Sequence, residues 1–493
     1  MNKLVQAIQS SPSTTLTENS AVTFTSTTSK VLDLFSRGAA LRTRTDAEVV
    51  SLFSDAYYEN KLLALKCLFY IRDVRGGQGE RKTFRTCLKW LSTVDFPAVL
   101  ANIDNIANYG RYDDILCLLD THEVEIAEYL RKTLAADVLL AMSGKSTSLL
   151  AKWMPSVNTS SAETRMQAKK LVRLFGCSDK EYRKTLSQLR AAINIVESKM
   201  CAKDWDSIEF SKVPSRASMI YKKAFRRHGE SRYDAWLQAV EKGEAKINAS
   251  TLFPYDLVRE AMKYYGGWKV EADVQSAIKT IDLQWKNLPN YLEKNPHNGL
   301  VVADVSGSMS GLPIQVSISL AIYFAERNIG TFKDCFITFS GNPTLQKIEG
   351  SNIVEKVENL NSAEWEMNTN LQAVFDLILR AAKKDKVPAK DMPETIFIIS
   401  DMEFDSACGG TQTNFEAIEK KYAESGYKIP TICFWNVDSR NDQSPVTKNQ
   451  QGVTLVSGCS PSIFKSVMSG ETITPYDFML EVLNSNRYNK VVV

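Results

Sequence analysis

After residue 299 the chain becomes a series of short apolar runs separated by amphipathic ones, and that alternation limits its fold more than any other feature. LVVAD (300–304), DCFITFS (334–340), ETIFIISD (394–401), IPTICFWN (429–436) and GVTLVSG (452–458) are short and rich in β-branched and aromatic residues. Between them lie LPIQVSISLAIYFAERN (312–328), NLQAVFDLILRAAKK (370–384) and TNFEAIEKKYAESG (413–426), with apolar residues at helical spacing. Strands that alternate with helices imply a parallel sheet covered on both faces. A doubly wound α/β domain over residues 291–493 is therefore expected.

The preceding stretch, 29–290, has a different texture. KLLALKCLFYIRDV (61–74), RKTFRTCLKWLSTV (81–94), YDDILCLLD (112–120) and VEIAEYLRKTLAADVLLAM (124–142) carry helical spacing, as do SSAETRMQAKKLVRLFG (160–176) and DKEYRKTLSQLRAAINIVESKM (179–200). Ser178 or Asp179 is the expected N-cap of the last. Helix pairs with short connections predict an all-α, HEAT-like helical repeat over 29–290. NLPNYLEKNPHNG (287–299) supplies the linker signal. Residues 1–28 are Ser/Thr-rich, lack the apolar core of a secretory signal and are expected to be a mobile segment. RGGQGER (75–81) lacks the spacing of a phosphate-binding P-loop; it predicts a helix end and tight turn, with Arg72, Arg75 and Arg81 paired to Asp73 and Glu80.

Nine cysteines without a CxxC pair predict reduced thiols and a cytoplasmic setting, and with three histidines they disfavour zinc. No apolar run is long enough to span a membrane. The net charge of +3 hides an asymmetry: residues 1–295 hold 43 basic against 34 acidic residues, and 296–493 hold 17 against 23. A basic first half suits a polyanionic partner, although a solvated helical surface accounts equally for the charge alone.

In a doubly wound sheet, ligands bind beyond the carboxyl ends of the strands. Asp304 closes one apolar run and Asp401 closes another, while Thr369, flanked by Asn368 and Asn370, precedes a predicted helix. With Ser306 and Ser308 they form a set that can converge from three loops. All five offer hard oxygen, which suits Mg²⁺ or Mn²⁺. The nearest histidine in sequence, His297, lies on the linker, so no general base neighbours the motif and an enzyme is not expected.

DVSGSMS, the later NTN threonine and ISDME together resemble the metal-ion-dependent adhesion site of a von Willebrand factor A domain. The resemblance implies that Ser306, Ser308 and Thr369 bind the ion directly and that Asp304 and Asp401 act through water. A helical region followed by such a domain resembles the Ro autoantigen family, in which a TROVE module of HEAT-like helices closes into a ring. ALKCLFYIRDVRGGQGERKTFRTCLKWL (64–91), NYGRYDDIL (108–116) and LLAKWMPSVNT (149–159) carry that likeness, and KVPSRASMIYKKAFRRH (212–228) with LFPYDLVREAM (252–262) look closer to an uncharacterised branch.

The Ro resemblance implies a non-enzymatic monomeric ring that binds small structured RNA or the single-stranded ends of misfolded RNA. Basic residues give separate support: Lys169, Lys170 and Arg173 on one predicted helix, Arg183, Lys184 and Arg190 on the next, then Arg216, Lys222, Lys223, Arg226, Arg227 and His228. Tyr221 and Phe225 in the last cluster are expected to be core residues. The alternative is a protein-interaction module whose ion captures an acidic side chain of a partner.

Overall fold

The computed structural model describes residues 12–265, 271–293, 298–339, 342–361, 369–406, 412–469 and 474–493. Residues 1–11, His297 and Asn368 lie outside these. The first half is mostly helical. From Lys30–Arg37 to Ala272–Lys286 no β-strand occurs among the described residues. Local chemistry marks the helix ends. Ser178, not Asp179, caps Asp179–Ala192: its Oγ accepts Glu181 N at 3.2 Å while Glu181 Oε2 accepts Ser178 N at 2.8 Å. Thr45 and Glu48 build the same reciprocal cap on Asp46–Glu59.

RGGQGER forms the expected turn, and a Cβ at Gly77 would lie 2.0 Å from Tyr70 O. Asp73 accepts the Arg75 backbone N–H and Glu80 the Arg81 backbone N–H, both at 3.0 Å, but the Arg72 and Arg75 guanidinium groups take other partners. Arg72 Nε donates to Asp114 Oδ2 at 2.7 Å and Arg75 Nη1 to Asn108 O at 3.1 Å. Asp73 instead receives Arg487, and Glu80 receives Arg42, because chain folding brings more distant cations nearer than those adjacent in sequence.

The second half is a six-stranded sheet. Its strands are β3 (Gly299–Ala303), β4 (Cys335–Thr338), β5 (Leu345–Lys347), β6 (Thr395–Ser400), β7 (Thr431–Asn436) and β8 (Val453–Ser457), and an N-terminal hairpin pairs β1 (Thr14–Leu16) with β2 (Val22–Phe24). The sheet order is β5-β4-β3-β6-β7-β8, parallel throughout except that edge strand β5 runs antiparallel to β4. Strand order reverses between β3 and β6, which makes that crevice the topological switch point. Both strands are fully buried, as two-sided coverage requires. The expected runs match β3, β4, β6, β7 and β8. Three-residue β5 and helices Ile353–Asn361, Ser462–Ser469 and Pro475–Leu483 were not anticipated.

Both ends of the helical half pack on the sheet domain. At one end, Ser457 Oγ of β8 donates to Phe35 O at 2.9 Å. At the other, Trp285 Nε1 donates to Glu326 Oε2 at 2.7 Å and Asp282 Oδ1 accepts Ile353 N at 3.0 Å. Over residues 12–28, where a mobile segment was expected, the chain forms the N-terminal hairpin. β2 continues toward the sheet domain, where Phe24 N donates to Ser444 O at 3.0 Å and Ser444 N to Phe24 O at 2.8 Å. Its β-branched Thr and Val residues suit that extended pairing. Among the described residues no helix is long and apolar enough to cross a membrane.

Candidate functional site

Neighbouring strands bring the two aspartates together. Ala303 pairs with Ile399, and Asp304 N donates to Ile399 O at 3.0 Å, so Asp304 and Asp401 emerge side by side. Ser400 Oγ lies between them, donating to Asp304 Oδ2 at 2.6 Å and to Asp401 Oδ1 at 3.5 Å. Asp304 Oδ1 accepts Ser306 N at 2.9 Å, and the Ser306 and Ser308 hydroxyls are 3.0 Å apart. Both carboxylates are buried. Burial, and then the charge of neighbouring Asp401, push Asp304 up to about 6. Asp401 Oδ2 is met by Arg440 Nη2 at 3.0 Å, which supplies a fixed positive charge at the site.

Thr369 lies on the same rim and bonds a different set of groups. Its Oγ1 donates to Glu403 O at 2.9 Å and to Asp405 Oδ1 at 3.2 Å, and accepts Asn19 Nδ2 at 3.2 Å. Among the described residues it makes no hydrogen bond to Ser306 or Ser308. Glu403 is the link, since its N–H reaches Asp401 Oδ1 at 3.2 Å. Asp304, Ser306, Ser308 and Asp401 thus form one oxygen cluster of the type a hard cation takes, and Thr369 belongs to a second group with Glu403 and Asp405. No cluster of three or more His, Cys, Asp or Glu side chains suited to a metal occurs among the described residues, so an ion here would depend on the serine hydroxyls.

Glu403, Asp405 and Arg440 were missed from the sequence. The signal for the first two was SDMEFD, with three acids at alternate positions, a spacing that places them on one side of an extended loop. Burial pushes Glu403 up, against the opposing pull of Glu18 N and the Asn441 side chain. Arg440 had no signal, because only folding brings the loop after β7 beside β6.

The basic residues do not form one continuous positive face. Lys222 is buried and donates to Glu260 Oε1 at 2.6 Å. Arg226 is buried among Asp273, Asp234 and Glu230. Arg190 caps the carbonyls of Ala151 at 2.8 Å and Met154 at 2.7 Å. Lys169 pairs with Asp179, Lys170 with Glu123 at 3.0 Å, and Arg216 with Asp256 at 3.5 Å. Arg183 Nε reaches Asp179 O at 3.4 Å, and His228 stacks on Trp205 with ring centroids 4.1 Å apart. Lys170, Arg216 and Lys222 are engaged because acids remote in sequence come to meet them, whereas Arg183 and Arg190 are held by carbonyls and His228 by a ring. Phe225 is buried in the core and Tyr221 half-buried against it, as expected.

Arg173, Lys184, Lys223 and Arg227 remain exposed and without an ion pair among the described residues. Lys180, not singled out in the sequence, shares that condition and lies four residues before Lys184, so the two share a helix face. Lys223 and Arg227 repeat the spacing on helix Ser215–His228. A cleft of about 1320 Å³, also missed, is lined by Lys82, Lys89, Trp90, Lys152 and Trp153 together with the acids Asp46, Asp113, Asp120 and Glu163.

Two family models match the chain: a domain of unknown function, DUF2828, over residues 17–120 and 161–297, and a second, DUF7788, over 298–489. The uncharacterized protein L728 of Acanthamoeba polyphaga mimivirus is 31% identical, over 97% of this chain and 88% of the viral protein. The chain belongs to this DUF2828–DUF7788 family. The DUF2828 match takes in β2 and most helices of the first half, leaving out β1, Glu123–Met142 and Leu150–Trp153, and the DUF7788 match holds β3 to β8 with the switch-point cluster. The crystal structure of the Deinococcus radiodurans Ro (RSR) protein is similar at a TM-score of 0.38 and 14% identity, over 90% of this chain and 93% of that one.

Proposed function

We propose that this DUF2828–DUF7788 chain is a non-enzymatic RNA-binding protein. In this reading its helical half is a HEAT-like ring closed by a von Willebrand A-type sheet domain. Its ligands are small structured RNAs or single-stranded ends. The observation that carries the reading is the pair of exposed cation doublets, Lys180 with Lys184 and Lys223 with Arg227, none of which forms an ion pair among the described residues, although Glu230, Glu271 and Asp273 line the same cleft as the second doublet. Phosphates need such free charge, and cations already held by carboxylates cannot supply it. Arg173 adds a fifth charge beside the first doublet's helix. The two-ended packing of the helical half on the sheet domain supports closure. Charge reversal of Arg173, Lys180 and Lys184 to Glu tests the reading by gel retardation of a hairpin RNA. An affinity loss of about tenfold or more is expected, since each neutralised phosphate contributes at physiological salt. Unchanged retardation would reject it.

The buried carboxylate pair favours a second activity on the same chain. Ser306 and Ser308 would hold Mg²⁺ or Mn²⁺ directly, with Asp304 and Asp401 acting through water, and Thr369 would join only if its hydroxyl left Glu403. When bound, such an ion supplies an open coordination position to an acidic side chain of a protein partner. Calorimetric titration with Mn²⁺ tests this: a single site is expected in the wild type and none in Ser306→Ala/Ser308→Ala. Absence of heat in the wild type would remove the second reading and leave the first untouched.

A further inference from the structure

The turn of the N-terminal hairpin, Thr17–Ser20, lies across the rim of the switch-point crevice and is held there by a dense set of polar contacts. Glu18 N donates to Glu403 Oε2 at 2.7 Å, and Thr17 Oγ1 donates to Phe404 O at 2.7 Å. Asn19 Nδ2 donates to Glu403 O at 2.7 Å and to Thr369 Oγ1, while Asn19 O accepts Ser406 N at 3.1 Å. Ser20 forms a β-bridge with Asp405. Backbone and side chain of the strap are therefore both read, mainly by the loop 403–406, as a peptide ligand is read.

Charge selects the middle residue. The Glu18 carboxylate faces a rim that already carries Asp401, Glu403 and Asp405, which alone would repel it. Arg440 reverses the outcome, because Nη2 reaches Glu18 Oε2 at 2.8 Å and Asp401 Oδ2 at 3.0 Å. Asn441 Nδ2 adds a second donor to Glu18 Oε1 at 2.9 Å. One guanidinium thus joins the acid at the end of β6 to the acid on the strap.

Apolar anchorage is confined to one side of the hairpin: Leu16 is 61% exposed and Val22 and Phe24 are half-buried, while Ala21 is buried beside Leu371, Phe404 and Phe434. Backbone strain accompanies the contact on both sides. Ser20 has φ +65° in the strap and Met402 has φ +70° in the receiving loop, left-handed values that non-glycine residues rarely take.

We propose that this rim is a peptide-binding site which the chain's own residues 17–20 fill, and that it takes in trans an acidic, turn-forming segment of a partner protein that displaces the strap. The ligand follows the strap's chemistry: a hydroxyl residue, then a glutamate for Arg440 and Asn441, then a carboxamide for Thr369 and Glu403. The site requires no metal ion and is separate from the RNA-binding cations.

The probe is a fluorescently labelled peptide of residues 13–24, measured by anisotropy against the full chain. Weakening the internal strap with Glu18→Gln/Asn19→Ala should tighten peptide binding by ~10-fold or more over the wild type, because the competitor in cis is impaired. Adding Arg440→Ala should abolish it, and a peptide carrying the Glu18→Gln change should not bind. Equal binding to wild type and strap variant, or equal binding of both peptides, would overturn the proposal. Should the variant fail to fold, hydrogen exchange on the wild type decides. The Glu18 and Ser406 amides should exchange at least ~10-fold faster than those of β6, as a separately opening unit does. Exchange at the β6 rate would overturn it too.

Discussion

Ser400 Oγ donates to Asp304 Oδ2 at 2.6 Å and reaches Asp401 Oδ1 at 3.5 Å, so one hydroxyl separates two buried acids at the switch point. The pair makes a specific pH signature. Asp304 sits at about 6 when folded and near its ordinary value of 3.8 when unfolded. The folded chain therefore keeps a proton that the unfolded chain releases. Stability fully present below about pH 4 is lost as pH rises through about 6, by roughly 2–3 kcal/mol. Urea unfolding in metal-free buffer across that window should show the loss in the wild type, and Asp304→Asn should remove it. Parallel profiles for the two proteins would contradict the assignment.

Arg72 and Asp114 form the most deeply buried ion pair described, at 2.7 Å, and Asp114 also holds Arg85 at 2.7 Å. Replacing Arg72 with Met leaves a buried carboxylate with fewer partners. A loss of about 3–5 kcal/mol is expected. The denaturant midpoint measures it, and a change under 1 kcal/mol would show that Arg85 alone suffices.

Asp73, fully buried in the helical half, receives Arg487 Nη2 at 2.6 Å and Tyr488 OH at 3.1 Å from the C-terminal segment. Asp73→Ala removes the acceptor of both and should destabilise the chain by about 2–4 kcal/mol. The effect should appear as earlier release of the C-terminal amides in hydrogen exchange, with Val491 and Val492 losing protection first. Unaltered protection there would mean that Asn102, which accepts Val492 N at 3.1 Å, anchors the tail by itself.

Neighbouring cations should separate by role. Lys222 is buried on Glu260 whereas Lys223 is exposed. Lys222→Met should lower stability and leave RNA affinity of the folded protein unchanged. Lys223→Glu/Arg227→Glu should do the reverse. Equal effects of both on affinity would argue against a phosphate contact at the exposed doublet.

The alternation of apolar runs made five of the six sheet strands legible, because buried parallel strands need continuous apolar sequence. β5 escaped, since its edge position lets LQK form a strand without an apolar pattern. The serine–aspartate cluster was legible because Asp304 and Asp401 end such runs. Arg440 and the strap were not, because they reach the site from loops whose local sequence carries no trace of that neighbourhood. The basic cluster misled for a related reason. Lys222 and Arg226 look solvent-facing in KKAFRR, yet Glu260 and Asp273 arrive from later helices and claim them.

The most direct measurement of the RNA-binding claim is the salt dependence of affinity for a single-stranded RNA, wild type against Arg173→Glu/Lys180→Glu/Lys184→Glu. With about five phosphate contacts, log affinity should fall against log salt with a slope of roughly −3 to −4, and the triple variant should reduce that slope by about 2. A flat wild-type line, or a slope the triple variant leaves unchanged, would contradict it.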